Sequence, residues 1–451
     1  MNRLLPVLRT AVYALRGGFL VRPLAIAVAL GLLGAVLSSL EETIPALSAW
    51  VPAFLFPSRA DPQVAQIILA TIATSIMTVV SIVFAMLLMT LTLASMQFSP
   101  RILLSFVKDR VTQWTLGIFL GTFAYCIAAL PAARSLPHQF APVATVTCAM
   151  FLAVICVAWL IFFIYHISQA ISVNHIVDRI ARETEAVIDD IMRDTQKYHY
   201  EPAGVPFDDS RRETPVTSSV SGYIRFVDSR RLLELAKAFK VRVRVLRRVG
   251  HFVPAGVQLF GTSPADRVDA HQLRELSSAF DIGPTRTMQQ DVEFGVIQIV
   301  DIALKAISPA VNDPSTAITC VDQLGRIVIR FVGRIAPASL LCDPPHVVRV
   351  IVPLVGVEDL LDTAFEQIRH YSASDIAVSL RLLRAYEDIA STCRDPRVVG
   401  SLVERGQRVL AGCAARLSVD QLVRLEGRLK ALESRTALGA NSRESVAAGG
   451  R

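Results

Sequence analysis

Charged residues are scarce in this sequence of 451 residues: Asp, Glu, Lys and Arg make up 19% of it, whereas apolar residues make up 52%. This balance is unusual for a wholly soluble protein. The apolar residues are also unevenly placed, because long runs of them crowd residues 1–167 and charges fill the rest. The composition predicts a membrane region followed by a soluble region. The net charge of +7 fits loops that face anionic lipid, and we expect no nucleic acid partner.

Paired spacings of cysteine and histidine are also absent. The seven cysteines form no CxxC pair and are odd in number, which argues against a disulfide framework or a zinc site. Buried, reduced thiols are the simpler interpretation. The eight histidines show no HxH or HxxxH spacing. We therefore expect neither a metal nor a cofactor.

Catalytic signatures are missing as well: the sequence has no Walker A loop, no HExxH, no GxSxG and no GxGxxG after a strand. Four acidic residues stand out in the second half, namely Asp291, Asp301, Asp313 and Asp322. A carboxylate cluster could bind a divalent ion. Helix capping and pairing with Arg286, Lys305 and Arg326 is the more common role of such residues. We expect that the protein is not an enzyme.

Four apolar runs have the length of membrane helices, at about residues 23–40, 67–94, 114–130 and 142–165. A helix needs about 20 largely apolar residues to cross a bilayer. The second run is too long for a perpendicular helix across a hydrocarbon core of about 30 Å, so it tilts or projects. The first run lacks a convincing cleavage site and fits a retained span. The sequence predicts an α-helical membrane protein with four spans.

The second run carries hydroxyl side chains on one arc of a helix: Thr71, Thr74, Ser75, Thr78, Ser81 and Thr92. Two interpretations stay open, a packing face of small residues and a hydrated pore lining. The residues that follow would form the mouth of such a pore: Gln97, Ser99, Arg101, Lys108 and Arg110. Ser99 and Pro100 predict the start of a short surface helix there. No Asp, Glu, Lys or Arg lies deep inside a run, which argues against an ion-coupled transporter.

Gly117 and Gly121 are spaced for close helix contact in the third run, within one chain or between chains. Four spans also leave little protein to shelter a polar helix face from lipid. We therefore expect membrane lipid and further copies of the chain as partners. The sequence identifies no ligand.

The soluble half predicts an α+β region, which we place in the cytoplasm. A helical stalk, residues 168–200, would continue the fourth span without a break, followed by a linker at 201–215. A small β-rich unit occupies residues 216–262, and its segment 249–260 resembles half of the barrel-sandwich of biotinyl and lipoyl carrier domains. The lysine hairpin of those carriers is absent. A mainly helical bundle spans residues 267–433, and a polar, disordered tail is expected from Ser434.

Two long motifs carry a family resemblance: ASMQFSPRILLSFVKDRVTQWTLGIFLGTFAYC at residues 94–126 and FGVIQIVDIALKAISPAVNDPSTA at residues 294–317. Together they resemble the bacterial membrane proteins of domain of unknown function 2254. The resemblance implies a multi-span protein of the inner membrane and supplies no catalytic residues. The family usually has Gly where this chain has Ala310. Structural roles in the second motif fall to Asp301, Ser308, Pro309, Asn312, Asp313 and Pro314.

Two classes of function follow from these features. The first is an oligomeric channel or pore, lined by the second span and regulated by the soluble region. Its basic mouth would favour anions or small neutral solutes. The second is a membrane-anchored scaffold or sensor without transport activity.

Basic residues in the short flanks predict that both termini lie in the cytoplasm. They gather before the first span, between the second and third, and after the fourth: Arg3, Arg9, Arg16, Arg22, Arg101, Lys108, Arg110, Arg179, Arg182 and Arg193. The other two loops hold only Arg59 and Arg134. Reporter fusions after Arg59 and Arg134 should be external, and fusions after Lys108 and Arg193 internal. An external reporter at Arg193 would refute this topology.

Overall fold

The computed structural model describes residues 21–44, 61–97, 109–134, 140–170, 172–198, 213–264, 267–333, 340–343 and 347–448. The chain divides into two compact units. The first, Met1–Ser172, is called the membrane unit below. The second, Val173–Arg451, corresponds to the region that the sequence predicts to be soluble and is called the soluble unit after that prediction.

The membrane unit contains four long apolar helices: α1 (Val21–Thr43), α2 (Pro62–Gln97), α3 (Arg110–Ala129) and α4 (Val143–Ala170). A short 3-10 turn, Leu130–Ala132, follows α3. All four helices are long and apolar enough to cross a membrane. The prediction of four membrane helices is confirmed. Each helix begins or ends some residues beyond its apolar run, because the polar flanks continue the helical backbone.

Helix α3 is the most enclosed of the four, since α1, α2 and α4 all pack against it. Its buried side chains include Phe119 and Tyr125, both fully shielded from solvent. Tyr125 also donates a hydrogen bond from its hydroxyl to the carbonyl of Thr145 at 3.0 Å. Helix α3 is therefore held in place both by apolar packing and by a hydrogen bond to α4.

A buried carboxylate connects the end of α1 to the start of α4. Glu41 is 1% exposed and accepts hydrogen bonds from the backbone N–H groups of Ala144 and Thr145, at 2.7 and 2.9 Å. The Thr145 hydroxyl adds a third bond at 2.8 Å. The first N–H groups of a helix have no partner within it and carry partial positive charge. Glu41 therefore caps α4 from another helix.

The same end of the unit has two further polar contacts. Gln66 on α2 donates from Nε2 to the carbonyl of Ala133 at 2.5 Å. Glu42 and Arg134 form an exposed ion pair. All four helices are thus linked by polar groups at this end.

At the opposite end, Asp109 caps α3 and joins it to α4. Its carboxylate accepts from the backbone N–H of Thr112 at 3.0 Å. One of its oxygens also lies 3.0 Å from Nε2 of His166 on α4. About two turns before His166 on α4, the indole N–H of Trp159 donates to the Thr115 hydroxyl on α3 at 3.0 Å. Polar contacts therefore hold α3 and α4 together along this end.

The soluble unit begins with α5 (Val173–Tyr198), and here the structure differs from the predicted unbroken stalk. Helix α4 ends at Ala170 and a new helix begins at Val173. One face of α5 is buried within the soluble unit, where Thr184 packs against Gly295. A helix with one apolar face needs a partner for it, so α5 is a member of the bundle rather than an isolated stalk.

Ion pairs add to the packing of α5. Arg326 pairs with Asp178 at 3.0 Å and with Glu185 at 2.5 Å. Arg330 pairs with Asp189 at 2.6 Å. Both arginines lie on the helix Pro314–Val332, about one turn apart, so the three ion pairs form a row along it.

Two sheets follow α5. The first has five strands in the order β1-β5-β3-β8-β7 and the second has three in the order β4-β2-β6. The strands are β1 (Thr214–Thr217), β2 (Gly222–Val227), β3 (Arg242–Val245), β4 (Phe252–Val253), β5 (Gln258–Ser263), β6 (Phe280–Gly283), β7 (Leu340–Asp343) and β8 (Val347–Ile351). Two helices accompany them, α6 (Ser229–Ala238) and α7 (Ala270–Ser277).

The β-rich part is larger than the predicted unit of residues 216–262. Strand β8 pairs in parallel with β3, so that Val350 lies beside Val243 in the sheet core. The barrel-sandwich interpretation of segment 249–260 is not confirmed. Strand β4 pairs with β2 in the three-stranded sheet, and β5 belongs to the five-stranded sheet, which also includes β7 and β8 from far along the chain. Parallel pairing joins residues far apart in the chain and leaves no local pattern.

The helical bundle comprises α8 (Val292–Ile307), α9 (Pro314–Val332), α10 (Val357–Tyr371), α11 (Ile376–Thr392), α12 (Pro396–Cys413) and α13 (Val419–Ala448). Phe365 and Tyr386 meet edge to face in its core, with ring centroids 5.3 Å apart. Helix α13 runs to Ala448, where the sequence predicts a disordered tail from Ser434. Residues 434–448 include four alanines together with Leu438, Arg443 and Glu444, which favour helix, although Ser, Thr, Gly and Asn lie among them.

The capping role of Glu41 can be tested against its neighbour. Glu41→Ala removes three hydrogen bonds to α4 and should lower the free energy of unfolding by about 1–3 kcal/mol. Glu42→Ala removes only an exposed ion pair and should cost about 0–1 kcal/mol. Tryptophan fluorescence during denaturation in mild detergent is selective, because Trp50, Trp114 and Trp159 all lie in the membrane unit. Equal losses in the two variants would contradict the capping role.

Candidate functional site

The hydroxyl-bearing arc of α2 lies on the outside of the membrane unit. All six predicted residues are exposed: Thr71, Thr74, Ser75, Thr78, Ser81 and Thr92. The opposite side of the helix is buried against the other helices through Ala65, Leu69, Ala73, Ile76 and Val83. The structure therefore brings the predicted residues together on one face, and that face has no partner among the described residues of the unit.

The outward faces of the neighbouring helices have a different composition. On α1 they carry large aliphatic side chains such as Leu24, Val28 and Leu32, and on α4 Val154 and Ile161. Such side chains are suited to lipid. Between residues 70 and 81, by contrast, most exposed positions of α2 carry Ala, Ser or Thr. This part of α2 is the outward surface of the unit that is small and hydroxyl-bearing.

Four of the six hydroxyls on this face donate a hydrogen bond to a carbonyl one turn earlier in the same helix, namely those of Thr74, Thr78, Ser81 and Thr92. Thr74 donates to the carbonyl of Ala70 at 2.9 Å, and Thr78 donates to that of Thr74 at 3.1 Å. Ser81 donates to Met77 at 3.0 Å. A hydroxyl bonded in this way retains acceptor capacity on its oxygen. The face can therefore lie against another helix or against water without losing its donors.

Most of the predicted mouth lies outside the described residues, namely Ser99, Arg101 and Lys108, together with the short surface helix. Gln97 is the last residue of α2, and its side chain is not described. Arg110 is the first residue of α3 and is exposed. The mouth stays a prediction.

The glycines of α3 face another helix of the same chain. A Cβ atom on Gly117 would lie 2.7 Å from the side chain of Ile26, and one on Gly121 would lie 2.5 Å from that of Leu30. Helix α1 contributes Gly31 and Gly34 to the same contact. The close approach predicted from Gly117 and Gly121 is therefore an α1–α3 contact within the chain. The spacing of the two α1 glycines is the signal for it that the sequence analysis missed.

Gly34 and Gly31 provide a matched pair of substitutions. A Cβ on Gly34 would lie 2.6 Å from the backbone oxygen of Tyr125, so Gly34→Ala must move α1 away from α3. Overpacking of this kind costs about 1–3 kcal/mol. A Cβ on Gly31 would lie 3.3 Å from the Cβ of Ala124 and at least 3.7 Å from the backbone of Ala124. Alanine also favours helix, so Gly31→Ala should change stability by less than about 1 kcal/mol.

Tryptophan fluorescence during denaturation measures both variants. Gly34→Ala protein as stable as the wild type would show that this glycine does not set the spacing of α1 and α3.

The second family motif forms the connection between α8 and α9. Ser308 ends α8, and Pro309 and Ala310 lie exposed in the turn. Asn312 has a positive φ of 48° and donates its backbone N–H to the carbonyl of Ser308 at 2.9 Å. The residue with a positive φ in this turn is thus Asn312, and asparagine tolerates that conformation. Ala310 does not have a positive φ, so its position does not require glycine. Asp301 lies half-buried on α8.

Asp313 and Pro314 start α9 as the sequence predicts. Asp313 caps the helix by accepting from the backbone N–H of Thr316 at 3.1 Å, and Pro314 is the first helical residue. Hydrogen bonds from the Thr316 hydroxyl and backbone N–H hold the pKa of the Asp313 carboxyl below its usual value. These residues have structural roles in the turn.

The other acidic residues that stand out in the sequence are paired with arginines. Asp291 is buried and forms two hydrogen bonds of 2.8 Å with Arg286. Asp322 forms an ion pair with Arg381, which lies beyond the predicted partners. In the described parts of the chain, no group of three or more His, Cys, Asp or Glu side chains is arranged to hold a metal ion.

None of the seven cysteines forms a disulfide, and six of them are buried. Burial raises the pKa of the Cys320 thiol, which keeps it protonated and unreactive. The prediction that the thiols are buried is confirmed for every cysteine except the half-buried Cys148.

The four apolar helices and the α+β unit that follows them fit an integral membrane protein with an α+β C-terminal region. Residues 16–388 match the family described as predicted membrane protein of domain of unknown function 2254. The chain belongs to this family, as the two sequence motifs indicate. The match covers all four membrane helices and both sheets.

Uncharacterized proteins of Mycobacterium bovis and Mycobacterium tuberculosis are similar to this chain. Each is 32% identical over 349 residues, which are 75% of this chain and 66% of the relative. The chain thus spans just under two thirds of the length of these relatives. No solved structure matches it.

Proposed function

We propose that this protein is an oligomeric membrane pore whose lining is the hydroxyl face of α2. The observation that carries the proposal is the contrast between outward faces. Between residues 70 and 81, α2 exposes mainly Ala, Ser and Thr, whereas α1 and α4 expose large apolar side chains. A membrane helix gains from small outward residues when another helix or water lies against them.

A single membrane unit has this face on its outside, so a lining requires several copies arranged around an axis. Closed rotational symmetry would place the α2 faces of all copies around one channel. Homo-oligomerisation is therefore part of the proposal. The glycine contact between α1 and α3 serves the fold of one chain, which leaves the α2 face as the surface for association.

The permeant class follows from charge. Helix α2 contains no Asp, Glu, Lys or Arg over its whole length, so the lining has no fixed charge. Arg110, with Arg101 and Lys108 in the sequence just before it, would attract anions at one mouth. A pore with these properties favours anions or small neutral solutes.

We place the protein in the inner membrane of a bacterium, with both termini and the soluble unit in the cytoplasm. The Arg and Lys bias of the short loops supports this orientation. The soluble unit would then regulate the pore rather than catalyse a reaction.

The alternative is a membrane-anchored scaffold or sensor with a dry α2 face. The observation that favours it is the set of hydrogen bonds from Thr74, Thr78 and Ser81 to carbonyls of their own helix. Because these donors are satisfied, the face can pack against lipid or protein at modest cost.

Cysteine accessibility distinguishes the two functions. In a chain without native cysteines, Thr74→Cys and Thr78→Cys should react with a water-soluble thiol reagent at least about tenfold faster than two controls. Val154→Cys is exposed on α4, where lipid would cover it, and Val83→Cys is buried in the unit. In liposomes, modification at Thr74 or Thr78 should reduce the efflux of chloride or glycerol.

Val154→Cys is needed as a control because a cysteine on α2 that merely faced lipid would react as slowly as one at residue 154. Protection of Thr74→Cys equal to that of Val154→Cys would refute the pore lining and favour the scaffold. Fast reaction without any efflux in the unmodified protein would refute conduction. The mass of the purified protein in mild detergent tests assembly, and a strictly monomeric chain would refute the oligomer.

A further inference from the structure

A tight turn in the soluble unit brings Arg248 and His251 together. The backbone N–H of His251 donates to the carbonyl of Arg248 at 3.1 Å, and Gly250 between them has a φ of 89°. A positive φ at the third position is the requirement of a type II turn, and glycine meets it without strain. In this turn Nε of Arg248 lies 3.4 Å from Nε2 of His251.

The turn rests against the start of α8. A Cβ atom on Gly250 would lie 2.3 Å from Oδ2 of Asp291 and 2.6 Å from Nη2 of Arg286. Asp291 is the residue that caps α8, by accepting from the backbone N–H of Phe294 at 3.0 Å. Glycine therefore allows the backbone of the turn to contact the capped end of the helix.

Arg248 extends this contact to two helices. Its Nη1 donates to Asp359 on α10 at 2.6 Å, and its Nη2 donates to Glu293 on α8 at 3.4 Å. The third guanidinium nitrogen, Nε, is directed at His251. An arginine has donors only, so Nε2 of His251 must present its lone pair, and the imidazole must be neutral.

The charges around His251 come from three parts of the unit. The turn supplies Arg247 and Arg248, the segment that begins α8 supplies Arg286, Asp291 and Glu293, and α10 supplies Asp359. Burial and then the three arginines lower the pKa of His251, against a smaller opposing effect of Asp291. The imidazole is therefore neutral when the turn is in place.

Glu293 has the opposite environment. Burial, with Asp291 and Asp359, raises the pKa of its carboxyl, while Arg248 and Arg286 oppose that shift. Glu293 therefore gains a proton more readily than an ordinary glutamate. Its attraction for Arg248 weakens when it does so.

We propose that the turn formed by residues 248–251 is a pH-sensitive contact, which holds the sheets to α8 and α10 near neutral pH and releases them on acidification. A proton on His251 removes the acceptor for Nε of Arg248 and places a cation beside three arginines. Protonation of Glu293 weakens its ion pair with Arg248, but the carboxyl binds that proton more readily within the folded contact. Glu293 therefore opposes release on acidification, and His251 is the group that drives it. The contact does not depend on the pore.

The two groups have opposite effects on global stability, which determines the choice of measurement. His251 binds protons more weakly in the folded state, so its stabilisation is complete above about pH 6.5 and is lost as the pH falls. Glu293 binds protons more tightly when folded, so its effect on stability decreases as the pH rises through the range above its ordinary value. A melting temperature would report these effects together with those of the rest of the chain. Local hydrogen exchange restricts the measurement to this contact, and a variant at His251 separates the two groups.

Hydrogen exchange of the full-length protein in detergent, corrected for the intrinsic rate at each pH, tests the proposal. Peptides that cover residues 246–260 and 286–296 should exchange about tenfold faster at pH 5.5 than at pH 7.5, about the worth of one charge-assisted hydrogen bond. In His251→Gln, whose amide oxygen accepts without titrating, most of this difference should disappear. His271→Gln changes an exposed histidine on α7 and should retain the wild-type response.

A second variant tests the same contact even if His251→Gln fails to fold. Asp359 lies on the surface of α10, and Asp359→Asn should raise exchange of the same peptides already at pH 7.5. Exchange in the wild type that is the same at both pH values would overturn the proposal. A pH response of His251→Gln equal to that of the wild type would overturn it too, as would unchanged exchange in Asp359→Asn.

Discussion

Helix ends within a folded unit need partners for their free backbone N–H groups, and side chains from other elements supply them here. Glu41 from α1 caps α4, and Asp109 caps α3 while contacting His166 on α4. Away from water an unpaired amide is costly, so these carboxylates fix the relative positions of the helices at both ends of the membrane unit. The outward face of α2 is presented on the framework that results.

The close contact of α1 and α3 changes the meaning of the small residues. Glycine in a membrane helix suggests association, but a packed pair of helices in one chain uses the same chemistry. Gly34 lies against the backbone of Tyr125, and Gly121 lies against Leu30. The small residues of α2 have no such partner among the described residues of the unit. The small residues of α1 and α3 pack against each other, whereas those of α2 face outward. This contrast makes the α2 face a candidate surface for association or for a pore lining.

Features that depend on neighbouring residues were predictable, and features that depend on distant pairing were not. Apolar length gave the four membrane helices, and Asp313 followed by Pro314 gave the start of α9. The periodicity of Thr and Ser predicted one arc on α2, but only packing shows that it faces outward. The pairing of β8 with β3, and the cap that Glu41 provides to Thr145, join positions separated by about a hundred residues. No local pattern encodes such contacts.

The same reasoning explains why the turn at residues 248–251 escaped sequence analysis. Its sequence, Arg-Val-Gly-His, predicts a turn because glycine tolerates positive φ, but nothing local links Arg248 to Asp359 across more than a hundred residues. Once the contact exists, its chemistry follows from the residue types. A permanently charged arginine surrounded by an imidazole and carboxylates binds with a strength that their protons determine. Glu41, by contrast, is held by backbone amides and a hydroxyl, which keep their donors at any pH. The cap that Glu41 provides therefore has no titratable partner among its described hydrogen bonds, whereas the turn in the soluble unit depends on the protons of its own side chains.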